Sequence, residues 1–143
     1  MNVEAILRNK GRSVVTVAPE ARIAAAVALL RRHQIGALVV STDGNSVDGI
    51  LSERDIVHAL ADQGGKTLEL EVAQLMSRRV ITCKLGDSIA DLMALMTDRR
   101  IRHLPVVEAG ALAGMVSIGD VVKNRIDEVE SEATSMREFI AGA

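Results

Sequence analysis

The sequence predicts an α/β protein in which two related β-α-β-β-α units pack through small sheets into one module, followed by an extended C-terminal helix. Three observations lead to this fold class. The second half of the chain repeats the residue pattern of the first half. Short apolar runs of strand length alternate with longer segments of helical periodicity. The chain has 143 residues, 48% of them hydrophobic, which is enough for a compact core.

The internal repeat has an offset of about 66 residues and spans most of the chain. Its identical positions are Val14, Thr16, Ile23, Ala24, Ala28, Leu29, Ile35, Leu38 and Val40, which recur as Val80, Thr82, Ile89, Ala90, Ala94, Leu95, Ile101, Leu104 and Val106. After a one-residue shift in a loop, Gly49, Ser52, Asp55 and Val57 recur as Gly114, Ser117, Asp120 and Val122. Two copies indicate an internal pseudo-dimer.

The element boundaries of the first unit are predicted from its glycine, proline and turn residues. A short helix over 3–10 ends at Gly11, a position that favours glycine. Strand 14–17 precedes Pro19, which suits the first turn of a helix that runs to about His33. The remaining elements are a fully apolar strand over 35–40, a turn over 42–46, a strand over 48–51 and a helix from Ser52 to about Gly64.

The second unit repeats this order after a linker over 62–70. Residues 72–76 echo the N-terminal helix. The predicted elements are a strand over 80–83, a helix over 87–99, a strand over 102–107, a turn over 108–110, a strand over 112–116 and a helix from Ser117. We therefore divide the chain into a first repeat with its N-terminal helix (1–67), a second repeat (68–125) and a C-terminal helix extension (126–143).

The last helix carries a narrow apolar stripe. Its members follow one another at spacings of 4, 3, 4, 3 and 4 residues: Val122, Ile126, Val129, Ala133, Met136 and Ile140. Two interpretations of the stripe remain open. The helix lies back on its own domain, or it pairs with the same helix of a second chain.

Composition excludes several classes of function. The net charge is −2 and Phe139 is the sole aromatic residue, so neither electrostatic attraction to nucleic acid nor base stacking is expected. The longest apolar run, 23–30, is too short to span a membrane. The N-terminus lacks the pattern of a signal peptide. The single cysteine, Cys83, favours a reducing compartment, and we expect a cytoplasmic protein.

The most informative motif occurs twice, as 49–55 and 114–120. Each copy is a glycine, two apolar residues, a serine and, three positions later, an aspartate. This order is typical of a buried strand that leads into a helix, with the serine as cap and the aspartate in the first turn. A helix start also exposes free N–H groups that suit an anion. Pure capping and ligand binding are both compatible with the motif.

These residues resemble a tandem pair of CBS domains, often called a Bateman module. The resemblance covers about residues 1–125. It rests on the order and repetition of five stretches: Val-x-Thr-Val-x-Pro at 14–19, His-Gln-Ile-Gly-Ala-Leu-Val-Val at 33–40, Gly-Ile-Leu-Ser-Glu-Arg-Asp-Ile at 49–56, Arg-His-Leu-Pro-Val-Val at 102–107 and Gly-Met-Val-Ser-Ile-Gly-Asp at 114–120.

The resemblance implies two clefts that bind adenine nucleotides such as AMP, ADP, ATP or NAD(H), and a module that pairs into dimers and regulates a separate protein. An aspartate carboxylate can accept hydrogen bonds from the two ribose hydroxyls, and serine and basic residues can meet phosphate. The candidate nucleotide-binding residues are Thr16, Ile35, Gly36, Ala37, Leu38, Ser52, Arg54, Asp55, Ile81, Thr82, Ile101, Arg102, His103, Leu104, Ser117 and Asp120.

Each assignment has a purely structural alternative. The aspartates and serines can be helix caps, 99–103 can be a solvated basic patch, and the aliphatic residues can be core. The copies also differ, because Arg54 corresponds to Gly119, and Gly36-Ala37 corresponds to Arg102-His103. We therefore expect two clefts with unequal charge. Arg102 and His103 are adjacent on a predicted strand, so at most one should enter a given cleft directly, unless the end of the strand relaxes this alternation.

Nothing in the sequence predicts catalysis. The three histidines show no metal-ligand spacing with one another or with Cys83, and no glycine-rich phosphate loop of a standard kind is present. We expect a non-catalytic sensor with an adenine nucleotide as ligand and no catalytic cofactor or metal. The alternative is a constitutive dimeric interaction protein whose clefts are vestigial.

Overall fold

A computed structural model describes residues 1–142 of the protein. The helices in this range are α1 (Val3–Lys10), α2 (Ile23–His33), α3 (Glu53–Gln63), α4 (Val72–Leu75), α5 (Ile89–Arg99) and α6 (Ile118–Gly142), and the strands are β1 (Thr16–Val17), β2 (Ala37–Val40), β3 (Gly49–Ser52), β4 (His103–Glu108) and β5 (Ala111–Ser117). A 3-10 helix, Gly64–Glu69, occupies the predicted linker. The strands form one sheet of order β1-β2-β3 and one of order β4-β5. The predicted α/β class is confirmed.

The two hairpins are built alike. In the first, β2 and β3 pair antiparallel with Leu38 opposite Leu51. In the second, β4 and β5 pair antiparallel with Leu104 opposite Val116. All four of these side chains are fully buried. Because successive residues of a strand point to opposite faces, the residues that precede Leu38 and Leu104 face away from the cores.

The first strand of each unit is shorter than the sequence predicts. In the first unit only Thr16 and Val17 pair with β2. In the second unit the predicted strand over 80–83 reduces to a single parallel bridge between Cys83 and Val106. Val80 and Ile81, which precede this bridge, form no strand and line a cavity between the repeats.

Helix α2 also begins later than Pro19 predicts. Arg22 has extended backbone angles and forms an isolated antiparallel bridge with Glu71. The N–H of Ile23 donates to the carbonyl of Leu70, and the N–H of Val72 donates to the carbonyl of Ala21. Pairing with the segment before α4 therefore keeps the backbone before Ile23 out of the helix.

The short helices α1 and α4 each pack against the opposite repeat. Val3, Ile6 and Leu7 of α1 lie in the core of the second repeat, with residues such as Leu92 and Val116. Val72 of α4 belongs instead to the core of the first repeat. Backbone bonds join the same partners, because the N–H of Val3 donates to the carbonyl of Asp87. Each of these helices therefore belongs to one repeat in sequence and to the core of the other repeat in the structure.

Helix α6 continues well past the second repeat. Val121 is buried, whereas the apolar side chains further along are exposed: Ile126, Val129, Met136, Phe139 and Ile140. The N-terminal ammonium of Met1 lies 3.1 Å from Glu128 Oε2 and ties α1 to this helix. The predicted stripe is therefore open to solvent rather than folded back on its own domain. Residue 143 of the predicted extension lies outside the described residues.

No helix in residues 1–142 is both long enough and apolar enough to cross a membrane.

Candidate functional site

Two cavities lie between the repeats, and each combines a helix start from one repeat with a strand entry from the other. The first, of about 260 Å³, is formed by the N-terminal end of α3 together with residues 77–81 and 100–103. The second, of about 290 Å³, is formed by the end of β5 together with residues 13–15 and 34–37. At an offset of 66 residues these linings correspond closely. The two cavities therefore lie at pseudo-symmetric positions of the two repeats.

The repeated Ser-x-x-Asp motif forms the same cap at both helix starts. The Asp55 Oδ2 oxygen accepts hydrogen bonds from the Ser52 N–H (2.9 Å) and the Ser52 hydroxyl (3.0 Å). Asp120 Oδ2 accepts the matching bonds from Ser117 at the same two distances. In return each serine Oγ accepts from the aspartate N–H at 3.2 Å. The capping interpretation of both motifs is thus observed.

Capping leaves part of Asp55 available. Among residues 1–142 its other oxygen, Oδ1, makes no hydrogen bond, and the residue lines the first cavity. A carboxylate offers about four lone-pair sites, so two bonds to the cap leave room for further donors. The same aspartate can therefore cap α3 and accept hydrogen bonds from a molecule in the cavity.

The first cavity is rich in arginine. Four guanidinium side chains line it, from both repeats: Arg54, Arg79, Arg100 and Arg102. Within the described residues none of them lies within 4.0 Å of a carboxylate oxygen. Glu53 and Asp55 are the acidic residues of the lining, so positive charge exceeds negative charge there. Such a site suits a ligand with several negative charges.

His103 lies between the two cavities and lines both. Burial lowers the pKa of His103 below its usual value, and the nearby Lys10 ammonium lowers it further, against opposing effects of Glu53 and Asp120. The imidazole is consequently neutral near pH 7. In that form one ring nitrogen can donate a hydrogen bond and the other can accept one.

The second cavity differs from the first at its aspartate. The Lys10 Nζ atom donates to Asp120 Oδ2 at 2.6 Å and to the carbonyl oxygen of Met115 at 2.9 Å. Lys10 lines the cavity, whereas Asp120 is not among the lining residues. Burial alone raises the pKa of Asp120, but the hydrogen bonds from Lys10 and Ser117 outweigh it and keep this pKa below the usual value.

The cavities bring together eleven of the candidate residues. Those that line the first are Gly36, Ala37, Ser52, Arg54, Asp55, Ile81, Ile101, Arg102 and His103. Those that line the second are Ile35, Gly36, Ala37, His103 and Ser117. Ligand contact by any of them stays a prediction.

Other candidate residues lie elsewhere. Leu38 and Leu104 are fully buried in the two cores, because each follows a cavity-facing residue on its strand. Thr16 is paired in β1. Thr82 borders a different cavity together with residues 107–110. Asp120 lies beneath Lys10, as described above.

The alternation of faces does not separate Arg102 from His103, and the exception expected at the end of the strand applies. Both line the first cavity. The reason is that β4 begins at His103, so Arg102 precedes the strand and the alternation of faces does not apply to it.

Sequence reasoning missed several lining residues, above all Lys10, Arg79 and Arg100. The basic run over 99–103 contained a usable signal for Arg100, whereas Arg79 lies in the repeat at the position of Ser13, which was not a candidate. Lys10 carried no such signal, because α1 was assigned to the first repeat, whereas it packs against the second.

Cys83 is buried and takes no part in either cavity. Burial raises the pKa of its thiol to about 12, and the neighbouring Asp87 carboxylate contributes to the increase. The thiol is therefore not a nucleophile at neutral pH. No group of three or more metal-ligating side chains is found within residues 1–142.

The two-fold repetition of elements, caps and cavities can now be compared with known proteins. The sequence profile of the CBS domain matches residues 5–62 and again residues 72–127. The chain belongs to the CBS-domain family. The two matches correspond to the two repeats, so the protein is a tandem CBS-domain pair.

Individual CBS proteins are similar over most of their length. The crystal structure of the CBS-domain containing protein ATU1752 from Agrobacterium tumefaciens superposes with a TM-score of 0.85 at 46% identity, over 87% of this chain and 99% of that one. The mitochondrial CBS domain-containing protein CBSX3 of Arabidopsis thaliana is 32% identical over 96% of this chain and 70% of its own length.

A more distant likeness concerns the fold alone. The CBS domain pair of protein MJ0100, solved in complex with 5′-methylthioadenosine and S-adenosyl-L-methionine, superposes with a TM-score of 0.79 at 23% identity. It covers 90% of this chain and 98% of that one. The chain therefore shares the fold of that CBS domain pair.

Proposed function

We propose that the protein is a non-catalytic regulatory module that binds an adenine nucleotide, one of AMP, ADP, ATP or NAD(H), in the first cavity. Binding changes its conformation or assembly, and a separate, unidentified protein responds. The observation that carries this proposal is the presence of Asp55 and four arginines in one cavity between the two CBS repeats. The reducing cytoplasm is its expected location.

The charges of the cavity correspond to the parts of a nucleotide. A ribose presents two neighbouring hydroxyl donors, and Asp55 Oδ1 is an acceptor without a partner in the described chain. Phosphate groups are anions, and the arginines lack carboxylate partners within residues 1–142. Hydrogen bonds to charged groups contribute about 1.5–3 kcal/mol each, more than neutral ones. The cavity thus offers an acceptor for the ribose hydroxyls and cations for the phosphate groups.

The remaining wall suits a flat apolar group. Ile50, Val80, Ile81 and Ile101 line the same cavity. Since the chain has no tryptophan or tyrosine, a base would pack between aliphatic side chains rather than stack on an aromatic ring. Adenine also needs hydrogen-bond partners at its edge, and backbone groups near Val80 and Ile81 can supply them because this segment forms no strand.

Catalysis has no support in the described residues. The cavity contains no cysteine, and its serines are not paired with a base: Ser52 bonds to Asp55 within the cap, and His103 makes no hydrogen bond to a hydroxyl. An activated nucleophile needs an adjacent base that is itself oriented. A binding function therefore fits this geometry better than a hydrolytic one.

The output is proposed to pass through self-association. The exposed apolar stripe of α6 offers a surface that a second copy of this helix would cover, with the heptad spacing of a two-stranded coiled coil. This stripe also favours the second candidate function, a constitutive dimeric interaction protein with vestigial cavities. The two candidates differ in one property, because only the sensor binds a nucleotide.

A thermal-shift panel of AMP, ADP, ATP, NAD and NADH tests the proposal. A ligand at a hundredfold excess over its Kd stabilises the folded state by about 2.7 kcal/mol, which raises the melting temperature measurably. Asp55→Asn should lose most of this shift, since a neutral amide is a weaker acceptor. Asp62→Asn is the matched control, because Asp62 is exposed on the same helix, away from the cavity. No shift with any nucleotide at millimolar concentration would leave only the constitutive candidate.

A further inference from the structure

The two aspartates of the repeated motif differ in what lies above them. Asp120 Oδ2 receives three donors, two from Ser117 and one from Lys10 at 2.6 Å. Asp55 Oδ2 receives the two serine donors alone within the described chain. The Lys10 side chain is about 38% exposed and Asp120 about 25%, so the pair is partly shielded from water.

The internal repeat shows that this difference is specific to one copy. At the offset of 66 residues the counterpart of Lys10 is Met76, directly after α4. Met76 packs against the first core, and its sulfur would lie 2.6 Å from a Cβ at Gly49. A thioether carries no charge and donates no hydrogen bond. Asp55 therefore remains open at the position where Asp120 is covered.

We propose that Lys10 is an internal occupant of the second cavity, which it closes to nucleotides by pairing with Asp120, so that wild-type protein binds nucleotide in the first cavity alone. This inference concerns the same class of ligand as the proposed function and rests on it. It assigns to Lys10 the role of a residue that determines which of the two clefts is used.

Two physical effects give Lys10 this role. Its ammonium neutralises the Asp120 carboxylate, which removes the advantage of a charged acceptor for ribose hydroxyls. Its position also covers the carboxylate, since Lys10 lines the cavity and Asp120 does not. A nucleotide that uses Asp120 must first break both hydrogen bonds of Lys10, to Asp120 and to the Met115 carbonyl.

The second cavity has few charged side chains whose contacts with a nucleotide could compensate for the loss of those hydrogen bonds. Arg79, Arg100 and Arg102 of the first cavity correspond to Ser13, Gln34 and Gly36 of the second, and Arg54 corresponds to Gly119. Among the described residues, Lys10 and His103 are the basic side chains that line the second cavity. Phosphate charge is therefore met there much less well than in the first cavity.

Isothermal titration calorimetry with AMP, which of the proposed ligands needs the fewest cationic partners for phosphate, tests the inference on the full chain through stoichiometry. Wild-type protein should bind one AMP per chain. Lys10→Met, which gives the second cleft the residue found in the first, should bind two, with the added site strengthened about ten- to hundredfold, the range that one charge-assisted hydrogen bond represents. Lys10→Gln is a second variant that keeps a polar side chain, should Lys10→Met fold poorly.

Two further variants locate the added site. Asp120→Asn combined with Lys10→Met should return the stoichiometry to one. Arg8→Met is the control for loss of a positive charge on α1, because Arg8 is exposed and its one ion pair in the described part of the chain is with Glu4, at 3.7 Å. It should behave as wild type.

The outcomes separate the inference from the proposed function. One site in both wild type and Lys10→Met would overturn the inference while the sensor function stands. Two sites in wild type, or weaker binding in Lys10→Met, would also overturn it, since Lys10 would then be neutral or a phosphate ligand. No site in wild type but one in Lys10→Met would support the inference and refute binding in the first cavity. No site in either would refute both.

Discussion

The imidazole of His103 packs against Gly36 at the boundary between the two cavities. A Cβ placed on Gly36 would lie 3.2 Å from His103 Cε1. The two residues belong to equivalent strand entries of opposite repeats, and both line both cavities. The absence of a side chain at position 36 thus makes the space that His103 occupies, and a change in either residue affects both clefts.

His103 should make stability depend on pH. Burial and Lys10 depress its pKa in the folded state below about 6.5, the value for an unfolded chain. Between the two pKa values the unfolded chain binds more protons, so the free energy of unfolding rises with pH in that window and levels off above it. Urea unfolding between pH 5 and 7.5 should show this rise, and His103→Gln should flatten it.

The groups that face His103 allow a control for this pH effect. Lys10 and Arg102 lower the pKa of His103, whereas Glu53 and Asp120 raise it. Proton NMR of the ring should therefore show a higher pKa for His103 in Lys10→Met. His58→Gln, an exposed change on α3, should keep the wild-type slope. An unchanged slope in His103→Gln would assign the pH dependence to other groups.

Gly114→Ala should destabilise the protein through α1. A Cβ at this position would lie 2.7 Å from Leu7 Cδ1 and 2.9 Å from Leu7 Cδ2. Leu7 is buried in the second core and cannot move freely. Overpacking of this kind costs about 1–3 kcal/mol, measurable by chemical denaturation.

Gly86→Ala is the matched change, because nothing lies within 4 Å of a Cβ there. It should leave stability nearly unaltered. Equal effects of the two substitutions would mean that backbone conformation rather than contact with Leu7 decides the result.

Arg102→Gln should weaken binding of ATP far more than binding of adenosine. Arg102 is exposed at the cavity and lacks a carboxylate partner in the described chain, so its charge is available for phosphate. The expected loss for ATP is about ten- to hundredfold, by calorimetry. Arg78→Gln removes the same charge from a nearby exposed position that does not line the cavity. A similar loss for both ligands would refute contact with phosphate.

Met136→Lys should dissociate a dimer held by α6. Met136 is 60% exposed within the apolar stripe, and a charge there would face its equivalent in a second copy. Sedimentation equilibrium should show half the wild-type mass. Ser131→Lys places the same charge on the opposite side of the helix and should leave the mass unchanged. A monomeric wild type would exclude self-association through this helix.

Sequence patterns predicted the repeated architecture because the spacing of apolar residues in each strand and helix reflects which of its side chains are buried. The apolar run over 35–40 and the Ser-x-x-Asp caps at Ser52 and Ser117 are local features, and they appear in the structure nearly where expected. Element ends were less predictable. Arg22 pairs with Glu71, and Val80 faces a cavity, so contacts far along the chain shortened the neighbouring elements.

Some features of the candidate site follow from local sequence, and others follow from tertiary packing. Local sequence was sufficient for the aspartate caps and for the unequal charges at Arg54 and Gly119, since side-chain type and helix position are properties of the chain itself. Tertiary structure decided that α1 packs on the second repeat and brings Lys10 onto Asp120, 110 residues away in sequence. That pairing depends on the packing of the apolar face of α1 against the second core, which removes apolar surface from water. No local sequence pattern specifies which core this helix joins.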